Sequence, residues 1–138
     1  MRLGFIGMGN MALALATGFI ATDKCAACDM IAYAPNQNKL QANAAKLGFV
    51  PASTAREVAA ADMIIIACKP SQVEGVLLDL GTAICGKALL SVALGWDFDR
   101  YAPLLPSDTR VQFVMPNTPA AVGEGVFLLL GSLRKRRR

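Results

Sequence analysis

The residues with the most chemical content stand at the start of the chain. Gly7-x-Gly9-x-x-Ala12 has the G-x-G-x-x-G/A spacing of a turn that binds a dinucleotide between a strand and a helix. Gly7 permits the tight turn. Gly9 carries no Cβ, so the backbone can approach a pyrophosphate. Ala12 is small enough for the helix to lie close on the strand. The helix that follows offers unpaired N–H groups and a positive dipole end to phosphate oxygens. An apolar strand, Arg2–Ile6, leads into the turn, and an apolar helix pattern, Met11–Thr22, leads out of it.

The elements that must hold this turn can be read from periodicity. After the first pair, Met30–Ala34 reads as strand two. Leu40, Ala44 and Leu47 mark a helical face closed by Gly48, and Phe49-Val50 is a short third strand. Thr54-x-x-Glu57 has the form of a capping box for a brief helix ending before Asp62. Met63–Cys68 is a continuous apolar run, as a central parallel strand requires. Ser71-x-x-Glu74 is a second capping box, ahead of a stripe of Val73, Val76, Leu77 and Leu80 stopped by Gly81. Ala88–Ala93 and Arg110–Val114 are strands five and six, with a short helix in Asp97–Leu105 between them. Val126–Leu130 is a candidate further strand. Alternating strands and helices predict an α/β fold. The form expected is a Rossmann-type, doubly wound, mainly parallel sheet with helices on both faces, over residues 1–130. Residues 131–138 are expected to form a basic, disordered tail.

Composition narrows the function classes. Hydrophobic residues make up 54% of 138, which suits a sheet buried on both faces. Histidine is absent, so no imidazole base or ligand is available. Cys25-Ala-Ala-Cys28 has no second ligand pair for zinc. It also follows a helix instead of opening one, so the cysteines read as reduced thiols of a cytoplasmic protein, and no metal is expected. Five of the 14 basic residues are Arg134–Arg138. The remaining 9 basic and 10 acidic residues leave the body at −1, so nucleic acid is not an expected partner. Gly4, Gly7, Gly9 and Asn10 interrupt the apolar start, which argues against a secretion signal. No apolar run approaches the ~20 residues of a bilayer span.

The end of strand two bears on the choice of nucleotide. An NAD-type site places an acid there for the ribose 2′-hydroxyl. No acid occurs between Asp29 and Glu57. Asn36, Asn38 and Lys39 could instead meet a 2′-phosphate, which favours NADPH over NADH; alternatively they only cap the next helix. Ligands of open α/β sheets lie at the carboxyl ends of the strands. That rim also holds Cys68-Lys69-Pro70, Ala93-Leu94-Gly95 and Met115-Pro116-Asn117. Lys69 is either a charged partner for the cofactor or a solvated cation.

Taken in order, Gly4–Ala12, Ala67-Cys68-Lys69-Pro70, Ser91–Gly95, Met115-Pro116-Asn117-Thr118-Pro119-Ala120 and Gly123-Glu124-Gly125 resemble the pyrroline-5-carboxylate reductase family. The likeness runs from residue 1 to about residue 126. It implies an NADP-linked oxidoreductase of proline (amino-acid) biosynthesis that transfers a hydride to the C=N carbon of a cyclic imine. By this resemblance Ile6, Gly7, Met8, Gly9, Asn10 and Met11 line the pyrophosphate, and Ala34 and Asn36 the adenosine ribose. Ala67, Cys68, Lys69 and Pro70 flank the ribose and nicotinamide together with Val92, Ala93 and Leu94, and Asn117 reaches the substrate edge. No catalytic side chain is implied.

Three departures stand out. Ala55 replaces an asparagine common before the third helix, and Leu94 replaces the middle alanine of Ala-Ala-Gly, where it would crowd the nicotinamide pocket or repack. The Ser-Gly-Ser-Gly-Pro segment of the family's helical domain, which supplies imine binding and the dimer interface, has no counterpart. The expectation is therefore a cofactor domain from a truncated, frame-shifted or degenerate gene, inactive alone, with a homo-oligomer only when the helical domain is present. The competing readings are another NADP-linked enzyme, such as a β-hydroxyacid dehydrogenase, and a non-enzymatic nucleotide-binding module with a basic tail. Met115–Pro119 favours the first reading over the dehydrogenase, and a basic run with no aromatic interleaved and no other basic face reads as a solvated tail, which counts against the module.

Overall fold

The four apolar residues of Met63–Ile66 occupy the middle of the molecule because both of their faces find partners. The computed structural model describes residues 1–106 and 108–115 in full and 128–134 as backbone. Its strands are β1 (Leu3–Ile6), β2 (Met30–Tyr33), β3 (Val50–Pro51), β4 (Met63–Ile66), β5 (Ala88–Ser91), β6 (Arg110–Met115) and β7 (Leu128–Arg134). They form one sheet in the order β3-β2-β1-β4-β5-β6-β7. All neighbours up to β6 pair parallel, and β7 runs antiparallel to β6. The doubly wound, mainly parallel sheet expected from the sequence is present.

Burial follows the pleat. Ile64 and Ile66 pack into one apolar cluster while Ile65 enters the other, across the sheet. On the Ile65 side lie Leu3, Phe5, Met30 and Ala32, covered by α1 (Asn10–Ala21) and α2 (Gln37–Leu47). On the Ile64 side lie α3 (Val73–Leu80), α4 (Phe98–Tyr101) and the 3₁₀ segment Ala55–Ala60. Helical elements therefore cover both faces. The tightest approach is at Gly4 in β1. A Cβ there would collide with the Val58 side chain and sit 3.0 Å from the Val58 carbonyl oxygen. Close helix-on-strand packing is thus set by Gly4 against the 3₁₀ segment, in addition to Ala12 on the other face.

Several expectations need correction. Glu57 accepts from the Ser53 N–H (3.2 Å) and the Thr54 hydroxyl (3.3 Å), but Thr54 makes no side-chain cap, so the first box does not close, and the turn it opens is 3₁₀. The second box does not form. Pro70 starts a 3₁₀ turn through Gln72, and α3 begins at Val73 with no side-chain cap. Strand seven is described over Leu128–Arg134, four residues past the expected end; residues 126 and 127 lie outside the described residues. The boundary drawn at residues 130 and 131 therefore falls inside a strand. The open edge of β6 offers unpaired backbone groups that keep the chain paired past Leu130. Gly131 is the extra residue at the register shift, since Gln112 faces Ser132 and Phe113 faces Leu130.

Candidate functional site

The sheet reverses its winding between β1 and β4, which are hydrogen-bonded neighbours with Ile6 opposite Ile66. A crevice forms at such a switch point, beyond the carboxyl ends of the strands. The glycine turn lies there. Gly7 has φ of +95°, and its N–H donates to the Tyr33 carbonyl at 2.7 Å, fastening the turn to the end of β2. A Cβ on Gly7 would sit 2.7 Å from the Ala67 carbonyl oxygen, so the turn also rests against the end of β4. Gly9 differs, since a Cβ there would meet nothing within 4 Å. Among the described residues, no atom lies within 4 Å of that position, and the missing side chain serves no internal contact there.

Gly9 is the N-cap of α1, without a side-chain hydrogen bond and with no acid in the first turn. The first N–H groups of that helix and its positive dipole end are left for an acceptor from outside. An apolar turn, uncapped N–H groups and vacant space above Gly9 fit a pyrophosphate. Gly9 and Asn10 are exposed, Met11 is half-buried, and Met8 is buried beneath the turn.

At the end of β2, Asn36 caps α2, its Oδ1 accepting from the Lys39 N–H at 3.1 Å. The capping role is present, and Asn36 and Lys39 are both exposed on the rim. Gln37, which sequence reasoning passed over, holds the loop by donating from Nε2 to the carbonyls of Ala34 (2.9 Å) and Ala52 (3.3 Å).

At the end of β4, Ala67 is half-buried, Cys68 buried, and Lys69 and Pro70 exposed. Burial pushes the Cys68 thiol up to about 11, so it stays protonated and is a poor nucleophile at neutral pH. At the end of β5, Val92 and Ala93 are half-buried. Leu94 is 64% exposed, so it stands on the rim and does not repack into the core. Met115, at the end of β6, is exposed as well. Asn117 and the other residues of Pro116–Phe127 lie outside the described residues.

Two further residues on this rim carry structure that the sequence reading missed. Trp96 donates from Nε1 to the Pro70 carbonyl at 2.8 Å. Tyr101 shares a buried 2.7 Å hydrogen bond with Ser91 Oγ and stacks edge-on with Trp96 and Phe113. Desolvation pushes the Tyr101 phenol up to about 12. The only tryptophan in the chain, directly after Gly95, was the available signal: a buried indole needs an acceptor for its N–H.

A cleft of about 510 Å³ opens on one side of the turn. From the expected site it includes Ile6, Gly7 and Cys68, with Tyr33 and Pro35 on either side of Ala34. Its other wall is Gln72, just before α3, and Gly75, Val76 and Asp79 of α3, with Ala55 at the start of the 3₁₀ segment. The α3 residues were not foreseen. Val76 in particular reads as core, yet is only half-buried and faces the cleft. Met8 to Met11, Lys69, Pro70 and Val92 to Leu94 are on the rim but do not line this cleft. Among the described residues, no group of three metal-ligating side chains exists, and no helix is long and apolar enough to cross a membrane.

A sheet wound 3-2-1-4-5-6, with a glycine turn at its switch point, defines a Rossmann-type dinucleotide-binding domain. Residues 2–95 match the family described as NADP oxidoreductase coenzyme F420-dependent, and the chain belongs to that family. It is 35% identical over 133 residues to pyrroline-5-carboxylate reductase of Treponema pallidum, covering 93% of this chain and 50% of that protein. It is also 35% identical over 127 residues to the Escherichia coli K12 enzyme of that name, covering 91% of this chain and 47% of that one. The crystal structure of Plasmodium falciparum pyrroline carboxylate reductase with NADP bound superposes with a TM-score of 0.85 at 28% identity, over 99% of this chain and 50% of the other. The resemblance read from the rim motifs is borne out. The chain spans about half the length of the curated relatives it matches.

Proposed function

We propose that this chain is the cofactor-binding half of a pyrroline-5-carboxylate reductase, a cytoplasmic NADPH-dependent enzyme of proline biosynthesis. The observation that carries the reading is the Gly7–Gly9 turn at the switch point, with vacant space over Gly9 and an uncapped α1 beneath it. The 35% likeness along more than nine-tenths of the chain to reductases of that name supports the substrate class. The bound cofactor supplies a hydride to the C=N carbon of the cyclic imine. The residues of this chain hold and orient that cofactor: the turn and α1 its pyrophosphate, Ala34 and Asn36 its adenosine ribose, and the loops after β4 and β5 its nicotinamide side.

Preference for NADPH rests on the rim after β2. No acid stands there to repel a 2′-phosphate, and Lys39 adds a positive charge. With Oδ1 engaged in the cap, Asn36 keeps its amide N–H groups for a phosphate oxygen. Reduction of the imine needs it held within near-attack distance of the nicotinamide, and residues 1–138 contain no Ser-Gly-Ser-Gly-Pro sequence. Residues 1–138 alone are therefore expected to bind cofactor without appreciable turnover, and to form the family's homo-oligomer only when joined to a helical domain.

The test pairs titration of NADPH and NADH, followed by nicotinamide fluorescence, with NADPH oxidation in the presence of pyrroline-5-carboxylate. The assay is run on this chain and on the chain extended with a family helical domain. Tighter NADPH binding, with turnover only in the extended protein, is expected. Equal turnover by the unextended chain would show that the substrate groups lie within it.

A further inference from the structure

We propose that Asp79, at the far end of the cleft beside the glycine turn, selects adenine in the cofactor by accepting a hydrogen bond from its exocyclic amine. This rests on the dinucleotide reading of the turn and goes beyond it by naming the residue that sets base specificity.

The argument begins with the two stripes of α3. Val73, Leu77 and Leu80 are fully buried and hold the helix to the sheet. Gln72, Gly75, Val76 and Asp79 follow the i, i+3, i+4, i+7 spacing of one helical stripe, and all four line the cleft. The helix therefore runs along the cleft as a wall. Gln72 stands at the end near Cys68 and the Gly7 turn, and Asp79 lies two turns further, about 10 Å along the axis. That span suits a nucleoside whose phosphate end rests on the glycine turn.

The chemistry of the wall changes along this length. Val76, with Tyr33 and Pro35 from the β2 end, supplies apolar surface for the faces of a planar ring. Gly75 interrupts the helix where alanine would be the better helix former, and a Cβ there would meet nothing within 4 Å. Its effect is to leave the middle of the wall low. Asp79 closes the far end, and no hydrogen bond or ion pair engages its carboxylate among the described residues. A carboxylate offers acceptors and no donor. It therefore favours a base edge that presents an amine and disfavours one that presents an oxo group. Adenine has the amine at that position, and hypoxanthine has the oxo group.

The experiment compares NADPH with its hypoxanthine analogue by titration calorimetry, on the parent chain and on Asp79→Ala and Asp79→Asn. Circular dichroism checks that the variants remain folded; position 79 is exposed and off the buried stripe. The parent is expected to bind NADPH about tenfold more tightly than the analogue, as for a hydrogen bond to a charged group. Asp79→Ala should bring the two within about threefold. Asp79→Asn, which can donate to an oxo group, should bind the analogue more tightly than the parent does. Equal affinities in the parent, or a preference unchanged in Asp79→Ala, would overturn the assignment while leaving the dinucleotide site intact. So would a gain of NADPH affinity in Asp79→Ala with the base preference unchanged, which would put the carboxylate beside the 2′-phosphate. Failure of the parent to bind either nucleotide would overturn the dinucleotide reading and this assignment with it.

Discussion

Trp96 Nε1 donates a 2.8 Å hydrogen bond to the backbone carbonyl of Pro70, joining the loop after β5 to the loop after β4. These are two of the loops that face the nicotinamide side in the proposed site. The indole is held in turn: the Arg100 guanidinium lies 4.0 Å from its ring centroid while Arg100 Nη1 donates to the Gly95 carbonyl at 3.0 Å. Trp96→Phe keeps an aromatic ring against Tyr101 but removes the donor and part of the buried indole. It should cost about 2 kcal/mol of stability from the lost hydrogen bond and the cavity together, a fall in Tm of roughly 6–12 °C for a domain of this size. It should also weaken NADPH binding several-fold by releasing the Lys69-Pro70 loop. Melting and cofactor titration of the same variant check both; an unchanged affinity would show that the two loops are positioned independently.

The two glycines of the turn should fail in different ways. Gly7 has φ of +95° and no room for a Cβ beside Ala67. Gly7→Ala is therefore expected to destabilise the fold by about 3 kcal/mol from strain and contact together. Gly9 has ordinary extended angles and open space, so Gly9→Val should melt near the parent and lose NADPH binding. Denaturant midpoints and titrations on both variants separate the effects. A Gly9→Val protein that binds NADPH as the parent does would place the pyrophosphate elsewhere.

Asn36→Asp tests cofactor choice with little disturbance of the helix start. Asp caps as well as Asn, so the bond to the Lys39 N–H survives. The added negative charge should weaken NADPH by roughly tenfold while changing NADH little. Loss of both cofactors in parallel would mean that the substitution damaged the loop and not the 2′-phosphate contact.

Most of the sheet was legible because its signals are local. Met63–Cys68 has no polar residue to hide, and Gly48 and Gly81 mark the ends of their helices. What escaped depends on partners distant in sequence. Ser71-x-x-Glu74 looks like a cap, but Pro70 commits the chain to a 3₁₀ turn first. Val76 is indistinguishable from Val73 in sequence, yet one faces a cleft and the other the core. The Trp96–Pro70 link spans 26 residues, and no motif announces it. Of the expected site, Ile6, Gly7 and Cys68 line one cleft, while Met8 to Met11, Ala34, Asn36, Ala67, Lys69, Pro70 and Val92 to Leu94 do not line it.

The buried Ser91–Tyr101 pair sets an alkaline limit on stability. The Tyr101 phenol rises from 10 to about 12 and the Cys68 thiol from 9 to about 11, each mainly through loss of solvent. Both groups are neutral when protonated, so the folded chain holds these protons more tightly than the unfolded chain. Their contribution is complete below pH 9. It falls as the unfolded thiol and phenol begin to ionise, and is lost by about pH 12, where the folded groups ionise too. Denaturant midpoints should therefore be insensitive to these two groups from pH 6 to 8 and decline between pH 9 and 12. Tyr101→Phe removes the phenol. It should lower stability near neutral pH by about 1 kcal/mol, since Ser91 loses its buried partner. It should also flatten the part of the decline above pH 10. A decline as steep in Tyr101→Phe as in the parent would assign the alkaline loss to other groups.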